Sequence, residues 1–122
     1  MKIAISANSP SLDAEVDPRF GRCQYYLILD PDTMQFESIQ NSSIVIGGGA
    51  GIATGQMIVK SGVQVVLTGH CGPNAYQVLS AAGIQVITGV SGKIRDVVQD
   101  YKSDKFQAIP QPTVSTHFGM GM

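Results

Sequence analysis

Two short segments hold the residue types from which this chain could build a chemical site. Gly69-His70-Cys71-Gly72-Pro73-Asn74 sets an imidazole beside a thiol, a pairing suited to thiophilic metals or iron–sulfur clusters. Pro73 fits the first turn of a helix, where backbone amides favour an anion. A thiolate at Cys71 is therefore expected to be more acidic than a free one. Against this, mononuclear metal sites normally need three or four protein ligands, so a small buried cysteine and an ordinary polar histidine are the alternative. The second segment, Phe20-Gly21-Arg22-Cys23, follows Arg19. Its two guanidinium groups offer several donors to an anionic ligand, and Cys23 is a candidate second sulfur ligand. Otherwise the arginines are loop surface, Phe20 pins the loop to the core, and Cys23 is a free structural cysteine.

Two further segments are candidates of a different kind. In Gly47-Gly48-Gly49-Ala50-Gly51 the absence of side chains lets backbone amides approach a bulky or anionic ligand. The run lacks a dinucleotide fingerprint, since Thr54 occupies the third glycine position and no acid follows before Asp96, and it has no Gly-Lys-Ser/Thr of a phosphate-binding loop. At the C-terminus His117, Met120 and Met122 could cap or deliver a soft metal, or could be incidental in a flexible tail.

Other chemistries lack their parts. The first apolar stretch, Lys2 to Ser6, carries no acid, which argues against carboxylate–metal hydrolysis. Asp13, Glu15 and Asp17 read as solvated loop surface, and no nucleophile elbow is present for Ser/His/Asp catalysis. An enzyme is not expected.

The elements that must position these residues follow from hydrophobic period. Lys2–Ser6 and Gln24–Leu29 read as strands, and Met34, Phe36 and Ile39 as a third, joined to the second by a tight turn at Asp30-Pro31-Asp32. Residues 8–22 are a long polar loop. Beyond the glycines the rhythm becomes helix (50–60), strand (63–68), helix (73–82), strand (84–88) and helix. In the last helix Ser91 is the expected cap, and Ile94, Val97, Val98 and Tyr101 share one face. Such alternation predicts a parallel sheet with right-handed crossovers. The expected fold is one α/β domain with a mixed five-stranded sheet of order 3-2-1-4-5 and strand 2 antiparallel. That order brings the loops after Ser6 and Thr68 to one crevice at the C-terminal ends of strands 1 and 4.

Composition bounds the rest. In 122 residues 43% are hydrophobic and 14% charged, against roughly 25% charged in a soluble domain, so a core forms without disulfide staples. A net charge of -1 supplies no basic field for nucleic acid or an anionic membrane. From Ser38 to Gly92 the only charge is Lys60. No stretch is long and apolar enough to span a membrane or to serve as a signal peptide, so a cytoplasmic protein with reduced thiols is expected. Residues 1–107 are expected to form one domain and 108–122 a mobile Gly/Met-containing tail.

In sum, the chain resembles the small dinitrogenase iron–molybdenum cofactor biosynthesis domains, the NifX/NafY-like group that includes stand-alone members and the orange protein of sulfate reducers. The resemblance rests on MKIAI, on Asp17-Pro18-Arg19-Phe20-Gly21-Arg22, on Gly47 to Gly51, on Gly62-Val63-Gln64-Val65-Val66, on Gly69 to Ala75 and on Ala82-Gly83-Ile84. It implies a ribonuclease H-like α/β/α fold without that enzyme's carboxylates, and a non-catalytic carrier or accessory protein binding an anionic iron–sulfur, iron–molybdenum or molybdenum–copper sulfide cluster. It places the cluster near Arg19, Phe20, Gly21 and Arg22, the glycines 47, 48, 49 and 51, and Gly69, Gly72 and Asn74, with His70, Cys71, Cys23 and His117 as metal ligands. A cluster donor or acceptor protein is the expected partner, and the chain a monomer or weak homo-oligomer. The other reading of the same donors is a binding module for a phosphorylated metabolite or nucleotide, without metal-cluster chemistry.

Overall fold

A computed structural model describes residues 1–41 and 50–103. The glycines at 47–49 and the tail with His117 lie outside the described residues. The strands are β1 (Ile3–Ala7), β2 (Tyr25–Leu29), β3 (Phe36–Gln40), β4 (Val65–Leu67) and β5 (Gln85–Ile87), and the helices α1 (Ala50–Lys60), α2 (Pro73–Ala81) and α3 (Ile94–Lys102). A 3-10 turn covers Phe20–Arg22.

The strands form one sheet of order β3-β2-β1-β4-β5. β2 runs antiparallel to β1 and β3, while β1, β4 and β5 are parallel. This is the order and direction that the alternation of elements implies. β1 is central, and all five of its residues are buried. Its period of two sends Ile3, Ile5 and Ala7 to one face and Ala4 and Ser6 to the other.

Each face has its own core. On one, Ile3, Ile5, Leu27, Leu29, Val65, Leu67 and Ile87 meet Ile94, Val97 and Val98 of α3. On the other, Ala4, Tyr26, Ile28, Val66 and Val86 meet Ile58 of α1 and Ala75 and Leu79 of α2. The result is an open α/β/α sandwich. α1 and α2 cross closely: a Cβ built on Gly55 would stand 3.0 Å from Val78 Cβ, so the glycine sets how near the helices approach.

Three local expectations are corrected. Met34 does not belong to β3. It closes the turn with φ 64°, its N–H donating to the Asp30 carbonyl at 2.8 Å, and the strand starts at Phe36. Ser91 does not cap α3. The cap position is Lys93, and the Ile94 and Arg95 amides donate to the Ala14 and Leu12 carbonyls, both at 2.9 Å. Loop backbone thus takes the place of a capping side chain at this helix start. β4 and β5 are also shorter than their apolar runs: Val63, Thr68 and Ile84 are buried but lie outside the paired registers, with the Thr68 N–H still donating to the Ile87 carbonyl at 3.1 Å.

The registers fix which loops share an end. Ala7 lies opposite Tyr25, and Tyr25 opposite Gln40. The end of β1, the start of β2 and the end of β3 therefore lie together. The parallel pairing brings the ends of β4 and β5 to the same edge.

Candidate functional site

The loop after β1 is tied down before it reaches its arginines. Ala7 bridges Val16, and the Asp17 N–H donates to the Ser6 carbonyl at 2.9 Å. The buried Ser6 hydroxyl donates to the Asp17 carbonyl at 2.7 Å and meets the Thr68 hydroxyl, also at 2.7 Å. Asp17 was expected on the solvated surface with Asp13 and Glu15, and the structure corrects this. Only 7% of it is exposed, because its carboxylate is needed locally: it accepts the Arg19 N–H at 2.9 Å and faces Arg19 Nε at 3.5 Å.

Beyond Asp17 the loop pairs with the turn after β4. The His70 N–H donates to the Pro18 carbonyl at 2.7 Å, and the Phe20 N–H to the His70 carbonyl at 3.1 Å. This is a parallel bridge between Arg19 and His70. It requires glycine at 69, since a Cβ there would lie 2.6 Å from Pro18 Cα. Two segments separated by about 50 residues of sequence thereby bring the exposed residues Arg19 and His70 together, with Arg22 exposed three residues further along the same loop. The Arg19 side chain is 64% exposed with only Nε directed at Asp17, so its terminal amino groups can meet an anion with a planar pair of donors.

Beneath this rim the groups are sequestered. Phe20 is buried with its ring centroid 5.2 Å from that of Tyr26, which makes it the anchor of the loop. The Tyr26 hydroxyl donates to the Phe20 carbonyl. Asn41 Nδ2 donates to the Cys23 carbonyl at 2.8 Å and the Gly21 carbonyl at 3.2 Å. α1 packs against the same 3-10 turn. Gly72 precedes α2 as its cap residue and accepts the Tyr76 N–H at 2.9 Å, and Asn74 is exposed in the first turn.

Neither Cys23 nor Cys71 is in a disulfide, and both are fully buried. The expected acidification of Cys71 is overturned: burial pushes its pKa up to about 12, and that of Cys23 to about 11. Position at a helix start does not lower a thiol pKa when the sulfur sits in an apolar layer that disfavours charge. At neutral pH both are protonated thiols. Among the described residues no three His, Cys, Asp or Glu side chains stand together as a metal-ion site. The donors at the rim are those of an anion site: cationic side chains and an imidazole. Surface hollows of about 290 Å³ by Lys2 and Phe36 and about 510 Å³ between α1 and α2 lie elsewhere.

Sequence reasoning missed Ser6, Thr68, Tyr26, Asn41 and Asp17. The one available signal was local: an acid two residues before Arg19, the spacing of an Asx-type turn.

The family model described as dinitrogenase iron-molybdenum cofactor matches residues 1–104. Among solved structures, the apo orange protein from Desulfovibrio gigas is 40% identical, with 92% of this chain and 95% of that one covered and a TM-score of 0.88. A Thermotoga protein is 25% identical over 94% of this chain and 98% of its own, with a TM-score of 0.80. One from Methanocaldococcus jannaschii, at 20% identity, 92% and 97% coverage and a TM-score of 0.70, shares the fold. None of the curated proteins compared matches the chain.

Proposed function

Because the chain belongs to the dinitrogenase iron-molybdenum cofactor family, we propose that it is a non-catalytic carrier whose cargo is an anionic metal–sulfide cluster. The observation that carries this reading is the Arg19–His70 bridge, which joins two segments that carry one exposed imidazole and two exposed arginines. Sulfide-rich clusters of iron or molybdenum are bulky, soft and negatively charged. Arg19 and Arg22 would supply charge and His70 one borderline ligand. The glycines at 21, 47, 48, 49, 51 and 72 would leave backbone open to the cargo and Asn74 would add a polar side chain, while Gly69 and the buried Phe20 would act from beneath by holding the loop in place.

The cysteines take a different role in this proposal from His70. A protonated thiol under the rim is no ligand, so Cys23 and Cys71 would ligate cargo only if the 20–23 or 69–74 segment opened. His117, on the C-terminal segment, is proposed as an added imidazole for the bound cargo. A cluster donor or acceptor protein is the proposed partner. No helix among the described residues is long and apolar enough to cross a membrane.

The test is anaerobic loading of the purified chain with tetrathiomolybdate, alone and with cuprous ion, and in parallel with iron and sulfide. Charge-transfer absorption that co-elutes with protein in gel filtration, and weakens in His70→Ala and in Arg19→Ala/Arg22→Ala, supports the carrier. If no metal stays with the protein under any of these conditions, the reading is wrong. Thermal stabilisation by nucleotides or inorganic phosphate in that event would favour the phosphorylated-metabolite module.

A further inference from the structure

The 3-10 turn Phe20–Arg22 carries one of the exposed arginines and is too short to hold its own shape. It has three residues, one of them glycine, and an internal hydrogen bond from the Arg22 N–H to the Arg19 carbonyl at 3.2 Å. Such short 3-10 pieces depend on outside partners. At the Phe20 end these are the His70 carbonyl, which accepts the Phe20 N–H, and the Tyr26 hydroxyl, which donates to the Phe20 carbonyl. The Arg22 end is held from β3. The Asn41 N–H donates to the Gln24 carbonyl at 2.8 Å, one residue beyond the last pair of the β2–β3 ladder, Tyr25 with Gln40, so the sheet itself places Asn41. From there its side-chain nitrogen donates to the carbonyls of Gly21 at 3.2 Å and Cys23 at 2.8 Å, the residues on either side of Arg22. An amide nitrogen has two hydrogens to give, one for each carbonyl. Only 2% of Asn41 is exposed, so water does not stand in for it.

We infer that Asn41 is a positioning residue for the anion site: its amide clamps the backbone on both sides of Arg22 and so fixes where that residue stands relative to the Arg19–His70 bridge. The inference rests on the carrier reading and adds how one of its cationic donors is held. Arg22 is exposed, and a long side chain on a loose turn loses conformational freedom when an anion binds it. Fixing the peptide groups around its Cα removes the backbone part of that cost before the cargo arrives. Arg19 is held differently, its N–H and Nε facing the Asp17 carboxylate at 2.9 and 3.5 Å. The two arginines thus rest on separate supports, and the loss of one can be measured apart from the other.

The experiment uses the full chain and tetrathiomolybdate as probe, titrated anaerobically by absorption. Asn41→Leu, similar in size and without a donor, is expected to weaken binding about three- to fivefold, and no more than Arg22→Ala does. The deciding measurement is the same substitution in the Arg22→Ala background, where it is expected to change affinity less than about twofold. A merely structural role would lower affinity by the same factor in both backgrounds. Equal factors, or wild-type affinity in Asn41→Leu, overturn the inference. Thermal melts show which variants are folded at the assay temperature. If Asn41→Leu is not, Asn41→Ser takes its place with the same two outcomes, since a hydroxyl gives one hydrogen where the amide gives two. If wild type itself binds no thiomolybdate, the carrier reading fails and the clamp is judged alone, by backbone amide NMR relaxation. The substitution must then lower the order of the amides at 21–23 and leave those at 19 and 70 as in wild type; unchanged order at 21–23 refutes it.

Discussion

Gly69→Ala is the perturbation that best separates this account of the site from a general one. Gly69 is buried, and its φ lies outside the left-handed region, so space alone decides the outcome. The added methyl would stand 2.6 Å from Pro18 Cα and 2.8 Å from the Pro18 carbonyl oxygen. Both are backbone atoms and cannot rotate away. Restoring an ordinary separation of about 3.5 Å requires the 17–20 loop to retreat by about 0.9 Å. The His70–Pro18 and Phe20–His70 hydrogen bonds, now 2.7 and 3.1 Å, do not survive a movement of that size intact. Overpacking costs roughly 1–3 kcal/mol and the two weakened bonds about 1 kcal/mol each, so the expected loss is about 3–5 kcal/mol, a large share of the roughly 5–15 kcal/mol that holds a domain folded. Urea denaturation should show a lower midpoint with unchanged slope. Amide exchange at His70 and Phe20 should quicken far more than at Ile5 or Leu27 in the sheet. Thiomolybdate binding should fall with it, because Arg19 no longer stands beside His70. A variant within about 0.5 kcal/mol of wild type, with protected His70 and Phe20 amides, would show that the bridge does not hold the site together.

Other expectations follow from the same geometry. In the unfolded chain a thiol titrates near 9.0, whereas Cys23 is raised to about 11 and Cys71 to about 12 in the fold. The native state keeps protons that the unfolded chain releases between those values, so stability is full below about pH 9 and falls above it; a urea midpoint equal at about pH 8 and about pH 10.5 would contradict the burial of the thiols. Iodoacetamide at neutral pH should modify neither cysteine until denaturant is added, as read by intact mass. Ser6→Ala leaves the buried Thr68 hydroxyl without its partner at 2.7 Å and should cost about 1–3 kcal/mol, measured by urea denaturation. Arg22→Ala, at an exposed position, should leave the melting temperature unchanged within about 1 °C while lowering thiomolybdate affinity several-fold and flattening its salt dependence.

How far the sequence reaches depends on what carries each feature. Strand order and direction were legible, because a short Asp30-Pro31-Asp32 turn forces antiparallel pairing and the later helices force parallel crossovers. The α1 limits, Ala50–Lys60, match the helix read between the glycines and Ser61. The cap of α3 and the direction of the Cys71 pKa were not legible, and for one reason: both depend on partners distant in sequence, although burial of both cysteines was among the readings the sequence offered. Ser91 has the chemistry of a cap, yet the chain that satisfies α3 comes from residues 12 and 14. Cys71 has the local position of an acidic thiolate, yet Ala75, Tyr26 and Phe20 in the same layer keep water from it. The nearness of the arginine segment to Gly69–Asn74 was visible only as a shared sheet edge. The register that pairs Arg19 with His70 is set by Ser6, Asp17 and Thr68, whose small polar side chains look unremarkable in any window of sequence.

The burial of the thiols bears on what kind of holding a carrier needs. Thiolate ligation to a soft metal couples binding to proton release and exchanges only as fast as the sulfur can be reached. A rim of two guanidinium groups and one imidazole holds an anion by charge, which weakens with ionic strength and yields to a competing cationic surface. Such a rim is suited to delivery, provided its donors do not spread when the cargo leaves. In this fold that condition is met from below: the Ser6–Thr68 pair fixes the loop, the Gly69 contact fixes the bridge, and Tyr26 and Asn41 hold the carbonyls of residues 20, 21 and 23. In the proposed carrier, rigid support and weak, reversible contacts would then be divided between two layers of the site. Salt should therefore release the cargo without loosening the fold, and the binding curve should shift with ionic strength while the melting curve does not.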